Sequence, residues 1–375
     1  MTRLARPLRS LVTALDAARN RHSHIVVEAV DGRAGFALFG GWKARHRFER
    51  LYLGATTPLP VRPIFHRTAT ADDCRAMARR YGMVVFCGAS APAELAGDLL
   101  SIPYMVDMEL TTPTAFEGPA ARWTSSVKDN LRRIRKARFS HDVQPGDACV
   151  PEFCSQMLQP ATEIRHGAEA YVATERDLLR FARTDGGEIL RVFQDGKWVA
   201  ANLNQARPDG YFLCKIGWRQ GDPSLLKTGA VSAVYWFSLQ RAAALGLPRV
   251  YLGGTMPLLD DGVLRYKSTW GARLSRPGRD WGAFHLLLDP SHADCRRFLR
   301  THSLIARDVK GEYVAFSGGT PETVGVQPDL LASISRWYKW RDEPSIDDGG
   351  WADDVPRSLR PWLSSVALEG DARCA

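Results

Sequence analysis

The chain has no Cys-x-x-Cys pair, no apolar run long enough to span a bilayer, no Gly-x-x-x-x-Gly-Lys-Ser/Thr loop, no Gly-x-Ser-x-Gly elbow and no fixed short repeat. Each absence removes a class of protein. The seven cysteines (Cys74, Cys87, Cys149, Cys154, Cys214, Cys295, Cys374) are odd in number and scattered. Neither a disulfide framework nor a structural zinc site is therefore expected, and reduced thiols in a cytoplasmic protein are the default. MTRLARPLRS at the start is basic, but the short apolar run after it is broken by Asp16 and Arg19, so no secretory signal is expected. Any membrane contact is expected to be peripheral, with no integral span. Without a nucleophile elbow or a cysteine with a local signature of activation, no covalent enzyme nucleophile is expected. His22 and His24 have no further ligand nearby, and no metal is expected.

What is present is enough for a sizeable core. Of the 375 residues 45% are apolar and 24% charged, which excludes wholesale disorder, and the length favours more than one lobe. Lys plus Arg outnumber Asp plus Glu by 50 to 41, a net charge of +9 that favours an anionic partner.

Residues 2–20 read as a short basic amphipathic helix. Ile25–Val30 and Phe36–Trp42 read as a hairpin across Asp31-Gly32, followed by strands at Arg50–Ala55, Val61–Arg67, Met83–Gly88 and Tyr104–Leu110. A helix over 71–82, stopped by Gly82, stands among them. After a helical stretch over 151–183, three strands follow one another through Asp195-Gly196 and Pro208-Asp209-Gly210: EILRVFQ, KWVAANLNQA and YFLCKIGW. A helix over about 228–245, the strand Arg249–Gly254, a short helix over 263–270 and a strand over 281–289 complete the pattern, which predicts mixed α/β layers. The tail carries helical patches, HADCRRFLRTH and LLASISRWYKWR. Six acids and no base then lie between Asp342 and Asp354, read as a solvated linker or a cover on basic surface.

The densest charge lies in Arg122–Arg138, with seven bases against one acid, a net +6 of the chain's +9. Val127, Leu131 and Ile134 give this helix one anchored face, and Lys128, Arg132 and Arg135 line its edge, with Arg133 and Lys136 pointing outward. A charge run is often a solvated face. The concentration of nearly all the excess in one anchored helix favours a phosphate-binding edge, for which the guanidinium fork is suited. A second candidate is the entry Lys227-Thr228-Gly229-Ala230 to the helix that follows, where unpartnered amides at the positive dipole end bind pyrophosphate. A third is Gly253-Gly254-Thr255 at the carboxyl end of a buried strand, with Lys267 following between Tyr266 and Trp270. Such a lysine is as readily a snorkelling surface residue.

The set S-x-x-x-K-x-N-x-R-x-I-R-K-A, with a later Y-L-G-G-T-x-P and L-x-Y-K-x-x-W-G-A, resembles the FemAB/BioF2-like branch of the GNAT acyltransferase superfamily over roughly residues 25–290. The resemblance implies two tandem GNAT-like lobes: an N-terminal helix (1–20), a first lobe (21–121), a basic linker helix (122–150), a second lobe (151–290) and a helical or irregular extension (291–375). It implies a role for Lys267, paired with Tyr266, in steadying the oxygen of a tetrahedral intermediate. The GNAT phosphate loop is reduced here to Lys227-Thr228-Gly229-Ala230, and no coiled-coil arm is inserted.

Acyl transfer to an amine needs a deprotonated nucleophile, a stabilised oxyanion and a protonated leaving group. Glu163, His166 and Glu169 share a helix side and are candidates for the base, against the alternative of a surface pair. Asn202, Asn204 and Lys215, polar residues in apolar strands, with Gly254 and Thr255, are candidates for lining a substrate cleft. The two asparagines read equally well as the wet face of a sheet edge. The expected function is transfer of an acyl or aminoacyl group to an amine of a small molecule or cell-envelope precursor, with no tightly bound cofactor. Acyl-CoA is the leading donor and an aminoacyl-tRNA the alternative. A non-catalytic nucleic-acid-binding protein is the rival from another class. The acceptor and the oligomeric state are open.

Overall fold

A computed structural model of the protein describes residues 24–27, 36–40, 48–49, 52, 61–64, 69–87, 91–117, 121, 123–166, 173–276, 282–345, 351–352 and 355–368. The strands in chain order are β1 (His24–Val27), β2 (Phe36–Gly40), β3 (Val61–Ile64), β4 (Met83–Cys87), β5 (Leu99–Pro103), β6 (Val106–Thr111), β7 (Ser140–Pro145), β8 (Gly187–Gln194) and β9 (Lys197–Arg207). They continue with β10 (Gly210–Trp218), β11 (Arg249–Thr255), β12 (Arg273–Leu274), β13 (Ala283–Leu288), β14 (Leu304–Arg307), β15 (Tyr313–Ser317), β16 (Arg336–Trp340) and β17 (Leu363–Val366). The expected mixed α/β class is observed. The N-terminal helix over 2–20 lies outside the described residues.

The fold divides into two units. One comprises Met1–Val106, Met256–Leu264 and Pro277–Ala375; the other comprises Asp107–Thr255 and Arg265–Arg276. These boundaries fall elsewhere than 121, 150 and 290, for two reasons of strand pairing. β6 pairs with β12 in the second unit's sheet, and β13, late in the chain, is inserted between β4 and β5 in the first unit's sheet.

In the first unit the sheet order is β3-β1-β2-β4-β13-β5, with β2 and β4 parallel. Thr70 opens the helix Ala71–Tyr81 with a reciprocal cap to Asp73, and Gly82, at φ 79°, ends it in the left-handed conformation where a Cβ is costly. Tyr52, expected in a strand, is helical together with Phe48 and Glu49. Phe48 and Tyr52 are one turn apart and their rings lie 4.9 Å apart in a core shared with Phe284 and Phe298, so packing of an aromatic i, i+4 pair outweighs the local strand preference. The tail is more regular than expected. β14 to β17 form a four-stranded sheet, and RWYKW is a strand, its Trp337, Tyr338 and Trp340 buried. HADCRRFLRTH is helical as expected, at Ala293–Thr301. Within the acidic segment Asp342 pairs with Arg300 at 2.7 Å, and Trp351 packs against the core.

The second unit is built on the sheet β12-β6-β11-β10-β9-β8-β7. Asp195 and Gly196, both at positive φ (50° and 74°), make the two-residue turn joining β8 to β9. One face of the sheet carries Ala201 and Leu203, covered by Phe153, Met157 and Leu158. These come from the helix Gly146–Phe153 and the π-helical turn Cys154–Leu158, which continues into Gln159–His166. The stretch expected to be one helix carries this π-helical turn, and a further helix is described at Glu175–Ala182. The other face is covered by the long helix Ala230–Ala244, whose Arg241 reaches Glu188 on β8 at 2.8 and 3.0 Å. Ten of its fifteen residues are buried, so it is apolar nearly all round. The basic helix Ser125–Lys136 buries Val127, Leu131 and Ile134, as the periodicity predicts.

Candidate active site

Three features converge at one end of the second unit's sheet. β10 and β11 are parallel, yet they pair only at Tyr211–Val250 and Phe212–Tyr251 and then part company. The parting coincides with a bulge in β10 between Leu213 and Lys215, where one extra residue on one strand bends it away from its neighbour. Gly253 follows on β11 at φ 71°, so this strand also turns where the ladder ends. β11 keeps β6 on its other side, but toward β10 its carbonyls lose their partner strand here, and buried carbonyls need donors.

Lys267 supplies them. Its Nζ donates to the carbonyl oxygens of Gly253 at 2.9 Å and Gly254 at 3.0 Å, and the residue is only 4% exposed. The snorkelling alternative is excluded: the ammonium is turned inward, held by charge-assisted bonds that offset part of its desolvation. Lys267 sits on the helix Gly262–Thr269, one residue after Tyr266. The Tyr266 hydroxyl lies 2.9 Å from the Ser232 hydroxyl in the first turn of the long helix. Tyr235 packs edge-on against Tyr266 and stacks with Trp270, and Trp123 meets Trp270 and Trp236. Thr124 caps the basic helix at Val127 N and donates its hydroxyl proton to the Thr269 carbonyl at 3.0 Å. Caps and rings together fix Tyr266 and Lys267 against both helices.

The entry to the long helix is the second feature. The helix expected over about 228–245 is observed at Ala230–Ala244, and a separate short helix, Pro223–Thr228, precedes it across Gly229 with φ 96°. Gly229 offers no side chain to cap the following amides, so the first turn of the long helix keeps donors for a ligand. A Cβ built on Gly229 would lie 3.4 Å from the Cβ of Arg133. The Cβ of the basic residue Arg133 therefore borders this helix start, and its side chain is exposed, as the sequence pattern predicts. Of the edge expected from the sequence, Arg132 pairs with Asp129 at 2.5 Å and Arg135 with Glu117 at 3.4 Å, while Lys128 is exposed. Lys227 is exposed, and the Thr228 hydroxyl donates to the Leu225 carbonyl at 3.1 Å, closing its own helix.

Other expected residues are placed elsewhere. Asn202 and Asn204 are fully buried on the face covered by the long helix, in a strand flanked by β8 and β10, so the wet-edge reading is excluded. Their amides bond to each other, and among the described residues the Asn202 Oδ1 has no hydrogen-bond partner. They belong with Tyr211, whose hydroxyl donates to Glu188 at 2.7 Å and whose pKa burial pushes well up. Lys215 stands opposite Leu203, on the other face from the two asparagines, because the bulge shifts the register by one residue. Thr255 is buried. Glu163 is exposed, accepts from Gln159 at 2.9 Å, and lies on the helix Gln159–His166. That helix belongs to the layer on the opposite face of the sheet from the long helix, so Glu163 is not brought to Lys267. His166 ends the same helix, and Glu169 lies outside the described residues.

Ser232, Tyr235, Arg133 and Trp123 were missed. The aromatic spacing at 235, 236, 266 and 270 was a legible signal for the cluster. Nothing local in the sequence marks Arg133, because its placement depends on how the basic helix docks.

Among the described residues no helix is long and apolar enough to cross a membrane. No family model and no curated protein matches the chain. Solved structures similar to it include FemX, at 11% identity and TM-score 0.37 over 69% of this chain and 82% of that one. L-PGS from Bacillus licheniformis aligns at 9% identity and TM-score 0.35, over 74% of this chain and 84% of its own. A GCN5-related N-acetyltransferase from Sphaerobacter thermophilus aligns at 12% and 0.31, over 71% and 75%.

Proposed function

We propose that the protein is an acyltransferase that moves an acyl or aminoacyl group from a phosphate-bearing carrier to an amine. One observation carries this reading: a buried ammonium, Lys267, anchored where β10 and β11 part, on a helix whose preceding residue, Tyr266, sets its hydroxyl against Ser232 at the uncapped start of the long helix. The carrier's phosphates bind the first amides of the long helix and Arg133, an exposed cation whose Cβ borders Gly229. The acyl carbonyl lies toward Lys267. The amine attacks that carbonyl, the carbonyl oxygen becomes an alkoxide steadied by the Lys267 charge, and the alkoxide collapses with expulsion of the carrier's thiolate or ribose oxygen. Two carbonyl bonds orient the ammonium. The Tyr266 phenol is the proton source for the leaving group, with Ser232 fixing its direction. The proton lost by the amine completes the balance.

The leading donor is acyl-CoA. The exposed cations of the basic helix, Lys128 and Lys136 among them, favour aminoacyl-tRNA as the second reading. Native mass spectrometry of the purified protein, followed by titration with CoA and with tRNA at two salt concentrations, tests the choice. Saturable CoA binding supports the first reading, and tRNA binding that falls steeply with salt, with no CoA binding, supports the second. Binding of neither overturns the proposal.

A further inference from the structure

β10 carries one residue more than β9 can match. Leu213 stands opposite Asn204 and Lys215 opposite Leu203, so Cys214 is the extra residue of the bulge. Without it, alternation would set Lys215 beside Asn202 under the long helix. With it, Lys215 turns to the other face of the sheet. There the lysine is half-buried and, among the described residues, makes no hydrogen bond or ion pair. The arginines of the same sheet differ: Arg191, Arg207, Arg249 and Arg273 each meet a carboxylate or an amide oxygen.

The bulge lies at the opening between β10 and β11. Gly253, whose carbonyl anchors Lys267, faces the bulge directly: a Cβ built on it would meet only the Leu213 carbonyl oxygen, at 3.4 Å. A glycine here leaves the space beside the strand free. Two ammonium groups thus belong to one opening, Lys267 anchored on β11 and Lys215 on β10 just past the extra residue. With the carrier's phosphates at the start of the long helix, a nucleophile that attacks a carbonyl in this opening arrives from the opposite face, the face of Lys215.

We propose that Lys215 selects the acceptor, an amine whose far end carries an anion, either a carboxylate or a phosphate, that pairs with the Lys215 ammonium while the amine faces the acyl carbonyl. The inference rests on the acyl-transfer reading. A half-desolvated ammonium without a partner is a cost that a bound anion offsets, and lysine, a compact point charge, takes either anion. The bulge is the device that brings this cation to the acceptor's side.

The test separates binding from turnover. The full chain is titrated calorimetrically with a length series of ω-aminoalkanoates and ω-aminoalkyl phosphates, with the matched amino alcohols and diamines as controls. Wild type, Lys215→Met, Lys215→Glu and Lys215→Arg are compared, and melting temperatures are recorded. Wild type is expected to bind at least one anionic amine about tenfold or more tightly than its amino alcohol. Lys215→Met is expected to lose that preference, Lys215→Arg to retain it and Lys215→Glu to favour the diamine, a reversal that a loosened fold does not produce. Whichever series binds more tightly identifies the anion. Equal binding of anionic and neutral amines by the wild type, no binding of an anionic amine at millimolar concentration, or a preference unchanged in Lys215→Met and Lys215→Glu overturns the inference. Turnover of the same amines with acetyl-CoA or charged tRNA judges the acyl-transfer reading separately. Selective binding without turnover removes that reading and leaves an anion site at Lys215, whereas turnover without selectivity does the reverse.

Discussion

The Tyr266 hydroxyl lies 2.9 Å from the Ser232 hydroxyl, which joins the helix carrying Lys267 to the first turn of the long helix. In the proposed reaction this contact fixes the group that would protonate the leaving group relative to the amides that would hold the carrier's phosphates. Tyr266→Phe removes the proton source and keeps the ring packing with Tyr235 and Trp270. Turnover is expected to fall about 10²-fold with donor affinity within about twofold, and Ser232→Ala by a smaller factor. Steady-state kinetics with separate donor titration reads the difference.

Arg133 and Arg132 differ in the same helix. Arg132 is exposed and paired with Asp129, whereas Arg133 borders Gly229. Arg133→Ala is expected to weaken donor binding about tenfold and Arg132→Ala to change it little. A nucleic-acid-binding protein without catalysis would instead lose binding with Arg132→Ala and Arg135→Ala together and be indifferent to Lys267→Ala.

Gly229 takes φ 96°, a conformation that L side chains rarely adopt. Gly229→Ala is expected to lower stability by roughly 1–2 kcal/mol by chemical denaturation. The added methyl also stands over the helix start, so donor affinity is expected to fall with it.

Asp142 is held below its usual carboxylate range, chiefly by its hydrogen bond from Arg191 across β7 and β8. A folded pKa below the unfolded one contributes stability that is present above pH 3.8 and lost as pH falls through the folded value. Arg191→Gln is expected to lower stability at neutral pH, with the gap to wild type closing as the solution is acidified to about pH 2. Denaturation at a series of pH values measures it; a gap that stays constant would sink this account of the pair.

Much of the fold was legible because its cues are local. Asp195-Gly196 demanded positive φ at two successive residues, Gly82 marked a helix stop, and Val127, Leu131 and Ile134 marked one face. What escaped depends on distant partners. β13 finds its place between β4 and β5 only after the whole second unit has intervened, and no residue near Ala283 says so. β5 and β7 are short and polar or proline-ended, and RWYKW alternates too briefly to be told from a helix patch. Within the site, Tyr266 and Lys267 were readable as a motif, whereas Lys215 was misplaced by a one-residue bulge, and the position of exposed Arg133 beside Gly229 depends on the docking of a helix.

The most direct measurement is donor consumption in the presence of a panel of amines, acetyl-CoA and charged tRNA being offered in turn, by wild type and Lys267→Met. Loss of Lys267 also strips donors from the Gly253 and Gly254 carbonyls, so melting temperature is recorded alongside and donor affinity is titrated separately. Amine-dependent turnover by the wild type, falling about 10²- to 10³-fold in a folded Lys267→Met that still binds donor, is the predicted result. Undiminished turnover in that variant, or no amine-dependent turnover with either donor, would contradict it.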